Sequence, residues 1–148
     1  MMPDDPVLSA QLSARRIIEG AVLAAMEEGE LTKAELPAFT VEIPADTAHG
    51  DFASNIAMAG AKAFSAPPRK IASAILARMD FATSCFLRAE IAGPGFLNLF
   101  LRPEWFAGAV TAILEKGACF GDTDMGKGKK VMVEFVSANP TGPMHMGN

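Results

Sequence analysis

The stretch Ser137-Ala138-Asn139-Pro140-Thr141-Gly142-Pro143-Met144-His145-Met146-Gly147-Asn148 carries the residue types that phosphate chemistry requires. Attack of a carboxylate on the α-phosphate of ATP builds negative charge on phosphate oxygens, and a site answers with donors fixed where that charge appears. An imidazole such as His145 at a helix start donates to phosphate, assisted by the N–H groups of the helix itself. Gly142 and Gly147 let the backbone come close to a nucleotide, and Pro140 and Pro143 stiffen the loop that positions the histidine. The preceding run, Val131 to Val136, reads as a buried-type strand. Strand and loop together have the form of a nucleotide site at the carboxyl end of a parallel sheet.

A second place for chemistry is a hairpin. Phe86 to Ile91 and Phe96 to Leu101 flank Ala92-Gly93-Pro94-Gly95, a tight-turn signal. Alternation sends Leu97, Leu99 and Leu101 to one face and Phe96, Asn98 and Phe100 to the other. The leucine face is core. The other offers a flat ring beside an amide, which suits an unpaired base: the ring stacks and the amide reads an edge. The alternative is that Phe96 and Phe100 pack under a helix while Asn98 caps a turn.

Other reactive residues read as structural. His49 lies in a polar loop and is expected to face solvent or to bond locally. Asp51 is expected to cap a following helix. Gly121 to Lys127 fits the start of G-x-x-x-x-G-K-[ST], but Gly128 replaces the hydroxyl and the segment precedes a strand instead of following one. It is therefore a linker. Cys85 and Cys119 form no metal-type pattern and read as reduced thiols. No metal site is expected.

These residues need elements to hold them. Asp5-Pro6 starts a helix that runs to about Glu28, with Leu8, Leu12, Ile18, Val22 and Met26 on its apolar stripe and Gly29 as its stop. Residues 39–43 alternate as a half-buried strand. A helix is predicted from Phe52 to Phe64, and another from Arg69 to Met79 with Ile71, Ile75 and Met79 inward. After the hairpin, Pro103 opens a helix through Trp105, Phe106, Val110, Ile113 and Leu114 that Gly117 closes. The expected class is α+β, a small antiparallel sheet with helices packed on it, followed by the first strand of a Rossmann-type domain. The boundaries are 1–120 for the first domain, 121–130 for a linker and 131–148 for the start of the second.

The chain has 148 residues, half of them hydrophobic, enough for one domain with a real core. A net charge of -4 argues against a non-specific nucleic-acid coat, although not against a local patch that reads one RNA feature. No apolar run approaches the roughly 20 residues of a membrane span. The amino terminus lacks the form of a signal peptide. A cytoplasmic setting is expected.

Ser137 to Asn148 resembles the signature loop of class I aminoacyl-tRNA synthetases, and its longer form S-A-N-P-T-G-P-x-H-x-G resembles the arginyl-tRNA synthetases in particular. Gly50-Asp51-Phe52-Ala53-Ser54-Asn55-Ile56-Ala57 and Ala92-Gly93-Pro94-Gly95-Phe96-Leu97-Asn98 look like patterns of that family's N-terminal additional domain. The resemblance implies that His145 contacts the ATP phosphates, that adenine packs on Gly147, and that Gly142 and Asn148 belong to the same ATP-binding loop. His145 and Asn148 would be its catalytic residues. It implies that Ser137 and Asn139 hold the backbone end of arginine. Glu134 could fork onto the guanidinium, or it could be a solvated strand residue. Phe96 and Asn98 would contact a D-loop nucleotide at the outer corner of tRNA. One position departs from the pattern: the motif's second histidine is Asn148, whose amide donates a hydrogen bond but carries no charge.

The expected parent is a cytoplasmic, monomeric arginine–tRNA ligase acting on L-arginine, on ATP with Mg2+ and on tRNA(Arg), with no tightly bound cofactor, no DNA and no membrane. This fragment alone would be inactive. The rival readings are a non-catalytic RNA-binding module, and another nucleotidyltransferase sharing the H-x-G-H site that acts on a small acid.

Overall fold

The structure, a computed structural model, describes residues 5–122, 126–135 and 142. Helix α1 (Pro6–Glu27) starts as the sequence predicts. The Asp5 carboxylate accepts the Leu8 N–H at 2.8 Å, and Pro6 occupies the first turn, where a missing N–H leaves no partner wanting. Its buried stripe is Ala10, Ala14, Ile18, Ala21, Val22, Ala25 and Met26. Leu8 and Leu12, expected on that stripe, are exposed, because Ala10 and Ala14 take the inward positions of the early turns.

Four strands form one antiparallel sheet: β1 (Val41–Glu42), β2 (Phe52–Ser54), β3 (Phe86–Ala92) and β4 (Phe96–Leu101), in the order β1-β2-β4-β3. The hairpin β3–β4 lies where its turn signal placed it. β1 is shorter than the predicted 39–43 because α1 takes over backbone groups beside the ladder. The Gln11 amide donates to the Val41 carbonyl at 2.5 Å, and Arg15 donates to the Phe39 carbonyl at 3.1 Å while lying over the Phe39 ring.

The predicted helix over 52–64 is corrected. Phe52–Ser54 is an inner strand, paired with β1 on one side and β4 on the other. Only Ile56–Ala59 is helical (α2). The alanine-rich run has helical composition, but two neighbouring strands satisfy the backbone of β2, and Phe52 buries its ring edge-on against Phe86 at 5.9 Å. Asp51 is corrected with it. Its carboxylate caps no helix; it accepts the Leu101 N–H at 2.8 Å, while its own N–H donates to the Leu99 carbonyl at 2.9 Å. Gly50 makes this latch possible. It sits at φ +84°, and a Cβ there would lie 2.7 Å from the Leu99 oxygen.

Helix α3 (Pro68–Leu76) buries Ile71 and Ile75 completely, while Met79 lies beyond its end, packed partly buried against the core. α1 and α3 cover the sheet face that carries Phe52, Phe86, Leu97 and Leu99. Helix α4 (Pro103–Lys116) differs: Ala112 is its one buried residue, and Phe106, Val110, Ile113 and Leu114 are exposed. The predicted strand 131–136 does not form over its described part. Val131 to Phe135 pair with neither sheet edge, and Val131, Met132, Val133 and Phe135 are exposed. A strand exists only by pairing, and without a partner the apolar pattern alone cannot make one.

Candidate nucleic-acid interface

The sheet has a second face, opposite α1 and α3. Ladder register puts four residues in one row across it: Glu42 opposite Ala53, Ala53 opposite Asn98, and Asn98 opposite Glu90. A cleft of about 640 Å³ opens over this row, with Glu42 and His49 on one side, Ala53 and Asn98 below, and Met58 and Phe96 among its remaining walls. The volume lies within the range of small-ligand sites and admits one nucleobase.

Asn98 is the residue that gives the cleft its chemistry. It is 5% exposed, lines the cleft, and its side-chain amide makes no hydrogen bond among the described residues. No buried side-chain polar atom among the described residues lacks a partner, so the unbonded atoms of this amide are open to the cleft. An amide that lacks one inside the protein, and faces a cleft, is set to bond something that enters. Phe96 stands two residues before it on the same face and is 38% exposed, leaving its ring free to stack. Phe100 shares that face but is not available, because the Arg88 guanidinium lies 3.7 Å from its ring centroid. Asn98 is mid-strand in β4 and Phe96 is exposed beside it.

The hairpin tip that carries these residues is fixed from outside. Arg69 of α3 donates to the Gly93 carbonyl at 2.7 Å. Gly95, at φ +141°, packs so close to Pro68 that a Cβ would come within 3.0 Å of the proline Cβ. On the other wall, Thr40 donates its N–H to the Asn55 side chain at 2.9 Å, tying the chain beside β1 to the turn after β2. His49 faces solvent, as expected, yet also borders the cleft. Glu42 and Ala53 were not singled out in the sequence; the ladder register is what places both on the face of Asn98.

Of the residues expected to handle ATP and arginine, two are among the described residues. Glu134 and Gly142 are both exposed, and neither borders it. Ser137, Asn139, His145, Gly147 and Asn148 lie outside the described residues.

Helices packed on a small antiparallel sheet are also found in a solved protein. The fold is similar to part of the crystal structure of arginyl-tRNA synthetase from Plasmodium falciparum, with a TM-score of 0.54 and 13% identity over 68% of this chain and 17% of that one. Sequence comparison goes further. The family described as Arginyl tRNA synthetase N terminal domain matches residues 13–101, from α1 through β4, and the chain belongs to that family. Among curated relatives, arginine–tRNA ligase of Desulforamulus reducens is 44% identical over 136 residues, which is 92% of this chain and 24% of the relative. That of Cereibacter sphaeroides is 49% identical over 135 residues, 90% of this chain and 23% of the relative. The chain thus spans about a quarter of the length of the curated relatives it matches. Among the described residues, no helix is long and apolar enough to cross a membrane.

Proposed function

We propose that this chain is the amino-terminal part of an arginine–tRNA ligase, and that its cleft binds an unstacked base at the outer corner of tRNA(Arg). The observation that carries the reading is the Asn98 amide, open to the cleft and without a hydrogen bond inside the protein among the described residues, beside the exposed ring of Phe96, inside the segment that the family match covers. Unstacked bases are taken up by ring stacking together with hydrogen bonds to their edges, and these two residues supply one of each.

On this reading residues 131–148 begin the catalytic domain, 131–136 pairing into its parallel sheet and the following loop binding ATP. His145 donates to the phosphates, adenine packs on Gly147, and Gly142 and Asn148 complete the loop. Ser137 and Asn139 hold the backbone end of arginine, with Glu134 directed to its guanidinium. The parent activates L-arginine with ATP and transfers it to tRNA(Arg), as a cytoplasmic monomer. Mg2+ enters as part of the ATP substrate.

The test is arginine-dependent ATP–pyrophosphate exchange by the full-length protein, with tRNA present, followed by charging of tRNA(Arg). Exchange with arginine and with no other amino acid is expected. Exchange driven by a different acid, or charging of a non-cognate tRNA alone, would overturn the reading.

A further inference from the structure

We propose that the outward face of α4 docks on the catalytic domain of the same polypeptide, so that Phe106, Val110, Ile113 and Leu114 are buried in the full-length protein. The inference rests on the reading of residues 131–148 as the start of that domain.

α4 is built inside out. At about 100° per residue, Phe106, Ala107, Val110, Ile113 and Leu114 fall on one side of the helix, with no charged residue among them. That is the side a helix ordinarily buries, yet all five are exposed, Leu114 to 77%. The opposite side, Trp105, Gly108 and Ala112 with Glu104 and Glu115, borders a cleft of about 630 Å³ shared with α1. Ala112 is the one buried residue of α4. A helix of 14 residues owes most of its stability to the face it packs away. The cover for this one lies outside the described residues.

Three observations choose the occupant. The match to the N-terminal domain family ends at residue 101, just before α4. The match to the Desulforamulus reducens ligase takes in 136 of the 148 residues, which necessarily includes α4, and still accounts for only 24% of that relative. α4 therefore belongs to what the chain shares with ligases beyond the N-terminal domain. Next, residues 117–130 join α4 to the segment that starts at Val131, and a stretch of that length reaches at most about 50 Å. So short a tether holds the following domain at a millimolar effective concentration, well ahead of a second copy in free solution. Last, the stripe suits neither rival surface. RNA asks for lysine and arginine, which this face lacks. A membrane surface asks for basic flanks, and here the flanking Glu104 and Glu115 are acidic.

The experiment is thiol labelling and crosslinking of the full-length protein. Val110→Cys and Leu114→Cys each place a thiol on the stripe. Iodoacetamide should modify either one at least about tenfold more slowly in the native protein than in urea, read by mass spectrometry of the peptides. Protein grown with photo-leucine should crosslink from position 114 to residues beyond 130 of the same copy. Native thiols that react as fast as in urea overturn the proposal. So do crosslinks from position 114 to a second copy, to tRNA or to residues 5–102. Arginine-dependent exchange by the wild type separates the two levels. If exchange is absent, the ligase reading fails, while slow labelling and crosslinks beyond 130 still uphold the docking of α4 on the later chain. If exchange is present and the thiols are open, the docking alone fails.

Discussion

Leu99 and Asn98 are neighbours on one strand and do opposite work. Leu99 is fully buried between the sheet and its two covering helices. Asn98 is almost as buried, yet on the face no long helix covers, with its amide unpartnered. One face of β4 spends its burial on apolar contact; the other turns an amide towards an open cleft. The difference teaches that burial alone does not mark a residue as core. What separates the two is whether the side chain packs into the core or lines an open cleft.

The comparison can be broken or sharpened by substitution. Leu99→Ala removes a fully packed side chain and should lower unfolding stability by about 2–5 kcal/mol in a urea titration. Asp51→Ala leaves the Leu101 N–H without its acceptor and loosens the latch between the β2 side and β4, with an expected loss of about 1–3 kcal/mol by the same measurement. Asn98→Ala deletes an amide that bonds nothing, so stability should stay within about 1 kcal/mol of wild type, while the tRNA-charging efficiency of the full-length protein falls. A stability loss for Asn98→Ala as large as that for Leu99→Ala would erase the contrast between the faces. The smallest effect is chemical. Burial holds the Cys85 thiol above its ordinary pKa, against opposing hydrogen bonds from its own backbone and from Ser13. Less of it is thiolate at pH 8 than of a free thiol, and it should react with iodoacetamide more slowly than exposed Cys119, as mass spectrometry of the labelled peptides would show.

Much of the fold could be read from the sequence where the signals are local. Asp5, Pro6 and Gly29 bound α1, Pro103 and Gly117 bound α4, and the Gly93-Pro94-Gly95 turn places the hairpin with its two faces correctly divided. The misses share a cause. Phe52 to Ser54 carries no strand pattern of its own length; it is extended because β1 and β4 pair with it from distant parts of the chain. Asp51 resembles a helix cap because caps and cross-strand acceptors ask for the same carboxylate. Leu8 and Leu12 keep helical spacing on a face that nothing among the described residues covers, and Val131 to Phe135 likewise show a strand pattern with no strand beside it. Phe96 and Asn98 were legible because two-residue alternation is local; Glu42 and Ala53 came into view only once register joined three segments into one row.

That row has a kinetic side. The β3–β4 ribbon closes over a few residues and can form within microseconds of collapse. β2 must then find β4 across more than forty residues of chain, and closing so long a loop is the slow kind of step. Every wall of the cleft except the ribbon itself arrives with that step. Pulse-labelled hydrogen exchange during refolding should therefore protect the amides of 86–101 before those of 52–54, and a stacked base should find no place to lodge until the last strand is home.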